Sequence, residues 1–339
     1  MNAKPIFHLA AICACTLLAA SSAHAVIIST VPVGNSGNTS DANTGSHYGS
    51  VGYNYNIGTY DVTILQYTAF LNAVALSDPN NLYNPNMATD LNVAGISRSG
   101  SSGSYTYSVI GSGQRPVSYV SWYDAARFCN WLTNGQGSSG TETGVYTLTG
   151  PTSISGTLPA DHSGLTGTGT KWFIPTENEW YKAAYYSASI NDYYAYPFRT
   201  NTAPTVNDPS ALNSNSGNFY NGAYATTQSF AYSTSQNYLT DVGAYVSTSP
   251  YGSYDMGGDV FQWNETLIGS FRGIRGGVWF HHSSAQLAAA DREFDTPSVE
   301  GPDVGFRVAN LHVESLPEPG SFTMMLLGAI GLWIRRGRR

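Results

Sequence analysis

The chain has 339 residues, 42% of them hydrophobic and 13% aromatic, enough to bury a sizeable core and too aromatic for a disordered chain. Only 11% are charged and the formal net charge is −7, with no basic stripe of the kind that tracks nucleic acid. A run of about 18 apolar residues, the mark of a polytopic membrane protein, does not occur.

In chain order, the first 25 residues read as a secretory signal. Lys4 supplies the positive start, Ile6 to Ala20 is mostly apolar, and Ala23-His24-Ala25 is a small-x-small cleavage site. Cleavage removes Cys13 and Cys15 and leaves Cys129, so no intramolecular disulfide framework is expected even after export. Thr63 with Gln66 predicts a capping box before a helix over 64–75. Ser121 with Asp124 predicts a second, running to Leu132, and Thr176 with Glu179 a third, running to about Tyr186. Short apolar pieces predict strands at 55–60, 105–110, 144–148, 171–174, 277–280 and 305–308. Between them lie Gly-, Ser-, Asn- and Tyr-rich loops, of which 97–104 and 135–143 are low-complexity. At the end, Leu316-Pro317-Glu318-Pro319-Gly320 is a breaker, Ser321 to Ile334 is apolar, and four arginines close the chain. As a helix those 14 residues reach about 21 Å, short of a hydrocarbon core of about 30 Å. The remaining domain, 26–315, loses five of fifteen basic residues and one of twenty-two acidic ones, which leaves about −11 and favours cations over anionic partners.

Several motifs resolve to ordinary structure. Gly135-Gln136-Gly137-Ser138-Ser139-Gly140 matches a dinucleotide fingerprint, but a helix precedes it and a loop follows, the reverse of what that site needs. Neither a G-x-S-x-G elbow nor an H-E-x-x-H zinc helix occurs. Cys129 shares one helical stripe with Trp122, Ala125 and Ala126 and reads as a core hydrophobe. Glu177 and Glu179 are two apart on a helix and so face different ways. Asp291, Glu293 and Asp295 alternate and read as a solvated edge. His281 and His282 are adjacent, which on a strand points them to opposite faces. In Asp255 to Trp263 the glycines let carbonyls converge with the Asp255 carboxylate and the Gln262 amide oxygen. Such hard donors suit Ca²⁺, and an Asx turn leading into a strand fits the same residues.

Two resemblances follow from these residues. Pro317-Glu318-Pro319, the apolar run and the arginine cluster resemble the PEP-CTERM sorting signal of Gram-negative bacteria that make exopolysaccharide. That implies an exosortase-type protease as a partner and delivery to the envelope or outside, with the terminal arginines cytoplasmic before processing. Asp255 to Trp263 resembles the G-N-x-W-E-W segment of the formylglycine-generating (sulfatase-modifying factor) family. Five other blocks follow that family in order: Gly58 to Thr63, Arg115 to Ala125, Ile174 to Trp180, Arg275-Gly276-Gly277 and Gly305-Phe306-Arg307.

The resemblance implies an α+β, C-type-lectin-like fold with little regular structure, three main helices and structural calcium. Position by position, it places calcium ligands at Asp255, Gly258, Val260 and Gln262, and a first site near Asn218 and Phe219. This chain has Gln262 where the family has Glu, and Asp255 where Asn is usual. The copper-dependent members use two cysteines shortly after R-G-G-S; here that stretch, 277–286, has none. Copper(I) selects soft thiolates, so copper is not expected, and His281 and His282 are the only catalytic candidates at that position. The expectation is an exported, calcium-stabilised binding module for a polysaccharide or peptide. The alternative is a formylglycine-generating-type oxidase or another metal-dependent oxidase with non-cysteine ligands.

Overall fold

The computed structural model describes residues 25–43, 45, 47–280 and 283–313. The segments expected to be an export signal, up to residue 24, and a C-terminal sorting signal lie outside the described residues, as do His281 and His282. Two four-stranded sheets organise the chain. The first runs Thr30–Val33, Tyr55–Gly58, Ala309–Val313, Gly169–Phe173, all antiparallel. It ties residues near both ends of the domain into one layer.

The second sheet runs Glu293–Asp295, Phe271–Arg275, Phe261–Ile268, Val304–Gly305. Its centre is a hairpin in which Ile268 pairs with Phe271 across Gly269-Ser270. Gly269 has φ of +64°, which the first position of such a tight turn requires. This hairpin replaces the strand expected at 277–280. Gly276 and Gly277, at φ of +109° and +75°, end the Phe271–Arg275 strand and turn 277–280 into a loop. The strand expected at 305–308 is likewise divided. Val304–Gly305 ends in one sheet and the chain crosses through Phe306-Arg307-Val308 to join the other at Ala309. The acidic stretch near 293 is an edge strand, with Phe294 outward and Glu293 and Asp295 half-buried.

The described residues hold four α-helices, α1 (Ile64–Val74), the one-turn α2 (Asn86–Thr89), α3 (Trp122–Thr133) and α4 (Glu177–Tyr185). α3 packs on the Gly169–Phe173 strand and α4 on the Phe261–Ile268 strand, while α1 and α2 pack on a separate hairpin of Ile96–Ser99 with Thr106–Val109. All three expected capping boxes form. Thr63, Ser121 and Thr176 each accept from the third helical N–H, and Gln66, Asp124 and Glu179 each reach back to the cap N–H. Each cap contributes about 1 kcal/mol and fixes where the helix starts. The core between α1, α3 and the first sheet is aromatic: Phe128 meets Phe70 edge-on at 5.4 Å and Phe306 edge-on at 5.3 Å.

Of the 24 tyrosines in the chain, thirteen are buried in the core. Their hydroxyls find partners there: Tyr67 donates to the Leu82 carbonyl at 2.9 Å and Tyr107 to the Ala75 carbonyl at 2.8 Å. With few charged residues and long irregular loops, tyrosine serves as a core filler that also satisfies orphan loop carbonyls.

Candidate functional site

The chain segments around residues 218 and 255–262 converge. Asp255 and Asp259 both adopt left-handed backbone conformations, with φ of +55° and +63°. Gly258, at φ of +95°, lies against Asn218 so closely that a Cβ would stand 2.6 Å from the Asn218 carbonyl oxygen. Only glycine fits there. Asp255 accepts from the Gly243 N–H at 2.6 Å, and burial pushes its carboxyl up to about 6. Asp259 accepts from the Thr240 N–H and hydroxyl, at 2.9 and 2.6 Å, and from Asn218 Nδ2 at 2.7 Å. Burial and then Asp255 push it up to about 7. Val260 is fully buried, while Phe219 packs its ring in a separate small cluster with Phe198 and Leu287. Asp61, also buried, lies 3.1 Å from Arg307 as an ion pair, but the approach angle leaves both carboxylate oxygens without a hydrogen bond. Among the described residues, no group of three or more His, Cys, Asp or Glu is placed to hold a metal ion.

Whether calcium fits this loop turns on Gln262. Its Oε1 accepts from Trp180 Nε1 at 2.7 Å and from Arg307 Nε at 3.1 Å, and its Nε2 donates to the Asp255 carbonyl at 2.8 Å. The oxygen is saturated and the atom facing the loop is a donor. A hard cation needs oxygen lone pairs there, so these residues do not fit a calcium ion as they stand.

A second cluster carries no motif and was not expected. His162, on a Ser- and Gly-rich loop, is buried between Glu179 of α4 and Glu265 of the central hairpin. Nδ1 lies 3.0 Å from both Glu179 oxygens and Nε2 3.2 Å from Glu265 Oε1. Tyr53 donates to Glu179 at 2.6 Å and Tyr146 donates to Glu265. Glu179 thus serves both its helix cap and this network. Glu177, two residues earlier, faces the opposite way toward Arg275 and Arg292, as their spacing on a helix requires.

A third feature is an open cavity of about 320 Å³ lined by Asp90, Asn92, Tyr224, Tyr232, Trp279 and Phe280. Trp279 lies flat on Tyr238, centroids 4.8 Å apart and planes within 3°, and Tyr232 stacks parallel to Tyr238 at 5.9 Å. Asn92 pins the far wall: Nδ2 donates to the carbonyls of Ser233 and Gln236, both at 2.8 Å, and Oδ1 accepts from Tyr232. Asp90 accepts from the Tyr119 hydroxyl at 2.6 Å and from the Asn92 N–H at 3.1 Å. Each carboxylate oxygen keeps acceptor capacity beyond that. Tyr119 has φ of +58°, a costly conformation for a bulky side chain, at the edge of this site. No single segment announces the cavity, because its lining comes from four stretches of the chain, near residues 90–92, 224–232, 279–280 and 302.

The expected role of Cys129 agrees with its position. It is a free, fully buried thiol on α3, and burial, reinforced by Glu265, pushes it well above the usual thiol range, so it stays protonated and unreactive.

Residues 20–311 match the Sulfatase-modifying factor enzyme 1-like domain, and the chain belongs to that family. Its helix-poor mixture of α and β structure is the C-type-lectin-like fold of formylglycine-generating enzymes. Among solved structures the chain is similar to Treponema denticola variable protein 1, at 19% identity and a TM-score of 0.46, covering 85% of this chain and 96% of that one. It is similar to CarF at 18% identity and a TM-score of 0.49, covering 85% and 99%. PvdO from Pseudomonas aeruginosa is 16% identical with a TM-score of 0.44, covering 78% and 82%. No curated protein matches.

Proposed function

We propose that this chain is an exported, non-catalytic binding module whose aromatic cavity takes a sugar unit of an uncharged glycan in the cell envelope or outside it. The observation that supports the reading is the exposed Tyr232 ring, braced from behind by Tyr238 and Trp279, in the same cavity as the Asp90 carboxylate. Flat aromatic faces pack against the apolar C–H face of a pyranose, and a carboxylate with spare lone pairs accepts from its hydroxyls. The cavity volume of about 320 Å³ lies at the small end of the range for ligand sites. The formal charge of −7 and Asp90 itself disfavour an anionic ligand. The paired cysteines of the copper-dependent relatives are missing from residues 277–286, which argues against the rival reading, a metal-dependent oxidase using His281 and His282.

The test is a glycan array followed by titration calorimetry on the purified protein, together with its metal content. A neutral glycan binds, and Tyr232→Ala weakens it by about two- to tenfold, since an aromatic stacking partner is worth about 0.5–1.5 kcal/mol. Leu212→Ala, on an exposed side chain away from the cavity, leaves affinity unchanged. Stoichiometric copper or iron, or conversion of a sulfatase-peptide cysteine to an aldehyde, would establish the oxidase instead. On the same reading, export removes residues 1–25 and an exosortase-type protease removes the C-terminal segment near Pro317-Glu318-Pro319. Intact mass of the secreted form checks this: a mature species that retains 316–339 contradicts it.

A further inference from the structure

The loop from Asp255 to Gln262 holds the positions where the family resemblance places a divalent cation, yet its donors and acceptors already close on one another. The two groups at Gln262 Oε1, the Trp180 indole and the Arg307 guanidinium, can only donate. The group at Nε2, the Asp255 carbonyl, can only accept. The amide orientation is therefore forced by its partners. A glutamate at 262 would offer the same oxygen to Trp180 and Arg307. Its second oxygen would then face the Asp255 carbonyl, and two acceptors in contact need a positive centre between them. Asn218 repeats the arrangement. Its Nδ2 donates to the Tyr238 carbonyl and to Asp259 Oδ1, both at 2.7 Å, joining two buried oxygens through N–H groups.

We propose that the side-chain amides of Gln262 and Asn218 take over the bridging that a divalent cation would perform in this loop, so that the protein folds and holds its shape without bound metal. Asn218 uses its amide to join two oxygens, and Gln262 uses one N–H to hold the Asp255 carbonyl, which a carboxylate at 262 could hold only through an ion. Arg307 adds a permanent positive charge to the same neighbourhood. Its guanidinium is fully buried and donates to the carbonyls of Gly58 and Tyr254, each at 2.7 Å, as well as to Gln262.

The experiment compares thermal unfolding of the purified full chain, wild type and Gln262→Glu, each unfolded and refolded in chelator and then measured with and without millimolar calcium. The wild-type midpoint is expected to be the same in chelator and in calcium. Gln262→Glu is expected to melt lower in chelator and to recover by several degrees in calcium, with one calcium bound per chain by calorimetry. A wild-type midpoint that falls in chelator and returns with calcium overturns the proposal, and so does a folded Gln262→Glu protein that ignores calcium. Should Gln262→Glu fail to fold under either condition, Asn218→Asp provides the second variant. It must gain the same calcium response for the proposal to stand, and a folded Asn218→Asp protein indifferent to calcium refutes it.

Discussion

Replacing His162 with alanine is expected to destabilise the fold by about 3–5 kcal/mol, the cost of breaking a buried ion pair from one side. Without the imidazole, the buried carboxylates of Glu179 and Glu265 are left with no cation between them. Burial on its own would drive the proton off His162, but Glu179 and then Glu265 more than reverse this and hold the ring at about 10. Phe173 stacks on the ring at 3.6 Å, so the charged form is sandwiched as well as paired. Burial would raise Glu179, and His162 with its hydrogen bonds overrides it, holding that carboxyl below its usual range. The signs set the pH window. A histidine raised from 6.5 to about 10 stabilises fully below pH 6.5 and loses that contribution as pH climbs to about 10. A lowered glutamate contributes above its ordinary 4.5 and loses its contribution below that value. The urea midpoint of the wild type is therefore expected to fall steadily between pH 7 and 10, and the His162→Ala protein to show a flatter profile over the same range. A wild-type midpoint independent of pH across that interval would mean that the imidazole is neutral in the folded protein.

That network shows what a linear reading reaches and what it does not. The three helix starts were legible because a capping box is closed within four residues: Thr176 and Glu179 declare each other without reference to the rest of the chain. The second role of Glu179 was invisible, because its partners His162 and Tyr53 are 17 and 126 residues away. His162 sits in Pro159-Ala160-Asp161-His162-Ser163-Gly164, which has no period and no spaced partner, so nothing local distinguishes it from a solvated loop histidine. The central hairpin was a different kind of miss. Ile268-Gly269-Ser270-Phe271 carries a two-residue turn signal between apolar flanks, whereas the apolar run at 277–280 predicts a strand that Gly276 and Gly277, both with positive φ, exclude. The family blocks were legible as ordered short strings, and they drew attention to the loop at 255–262, which packs against Asn218. What they could not convey was the direction in which an amide points. Exchanging Glu for Gln at 262 turns one acceptor into a donor, and only the neighbours Trp180, Arg307 and Asp255 reveal which atom faces which. The aromatic cavity was legible only as an excess of tyrosine, and composition alone cannot separate the thirteen buried rings from the half-exposed Tyr232 that rims a site.

Glu177 is expected to be the second residue whose loss is severe. One carboxylate holds two guanidinium groups: Arg275 donates to Oε1 from Nε at 2.9 Å and Nη2 at 2.6 Å, and Arg292 donates to both oxygens at 2.7–3.1 Å. This pins the first turn of α4 to the second sheet, since Arg275 ends the Phe271–Arg275 strand and Arg292 immediately precedes the Glu293–Asp295 edge. The helix N-terminus itself favours a negative charge at this position. Tyr48 supports both arginines, with ring centroids 5.3 and 5.0 Å away, and Tyr181 lies 4.9 Å from Arg275. The two partners are not equivalent. The Arg275 side chain is 1% exposed and that of Arg292 31%. Glu177→Ala leaves Arg275 charged and buried with carbonyls as its remaining acceptors, at an expected cost of about 3–5 kcal/mol. Arg292→Ala removes a half-exposed partner while Glu177 keeps Arg275, and is expected to cost no more than about 1 kcal/mol. Urea unfolding of both variants beside the wild type measures the ratio. Equal losses would mean that the exposed arginine carries the contact, and that α4 is held to the sheet from its rim rather than from inside.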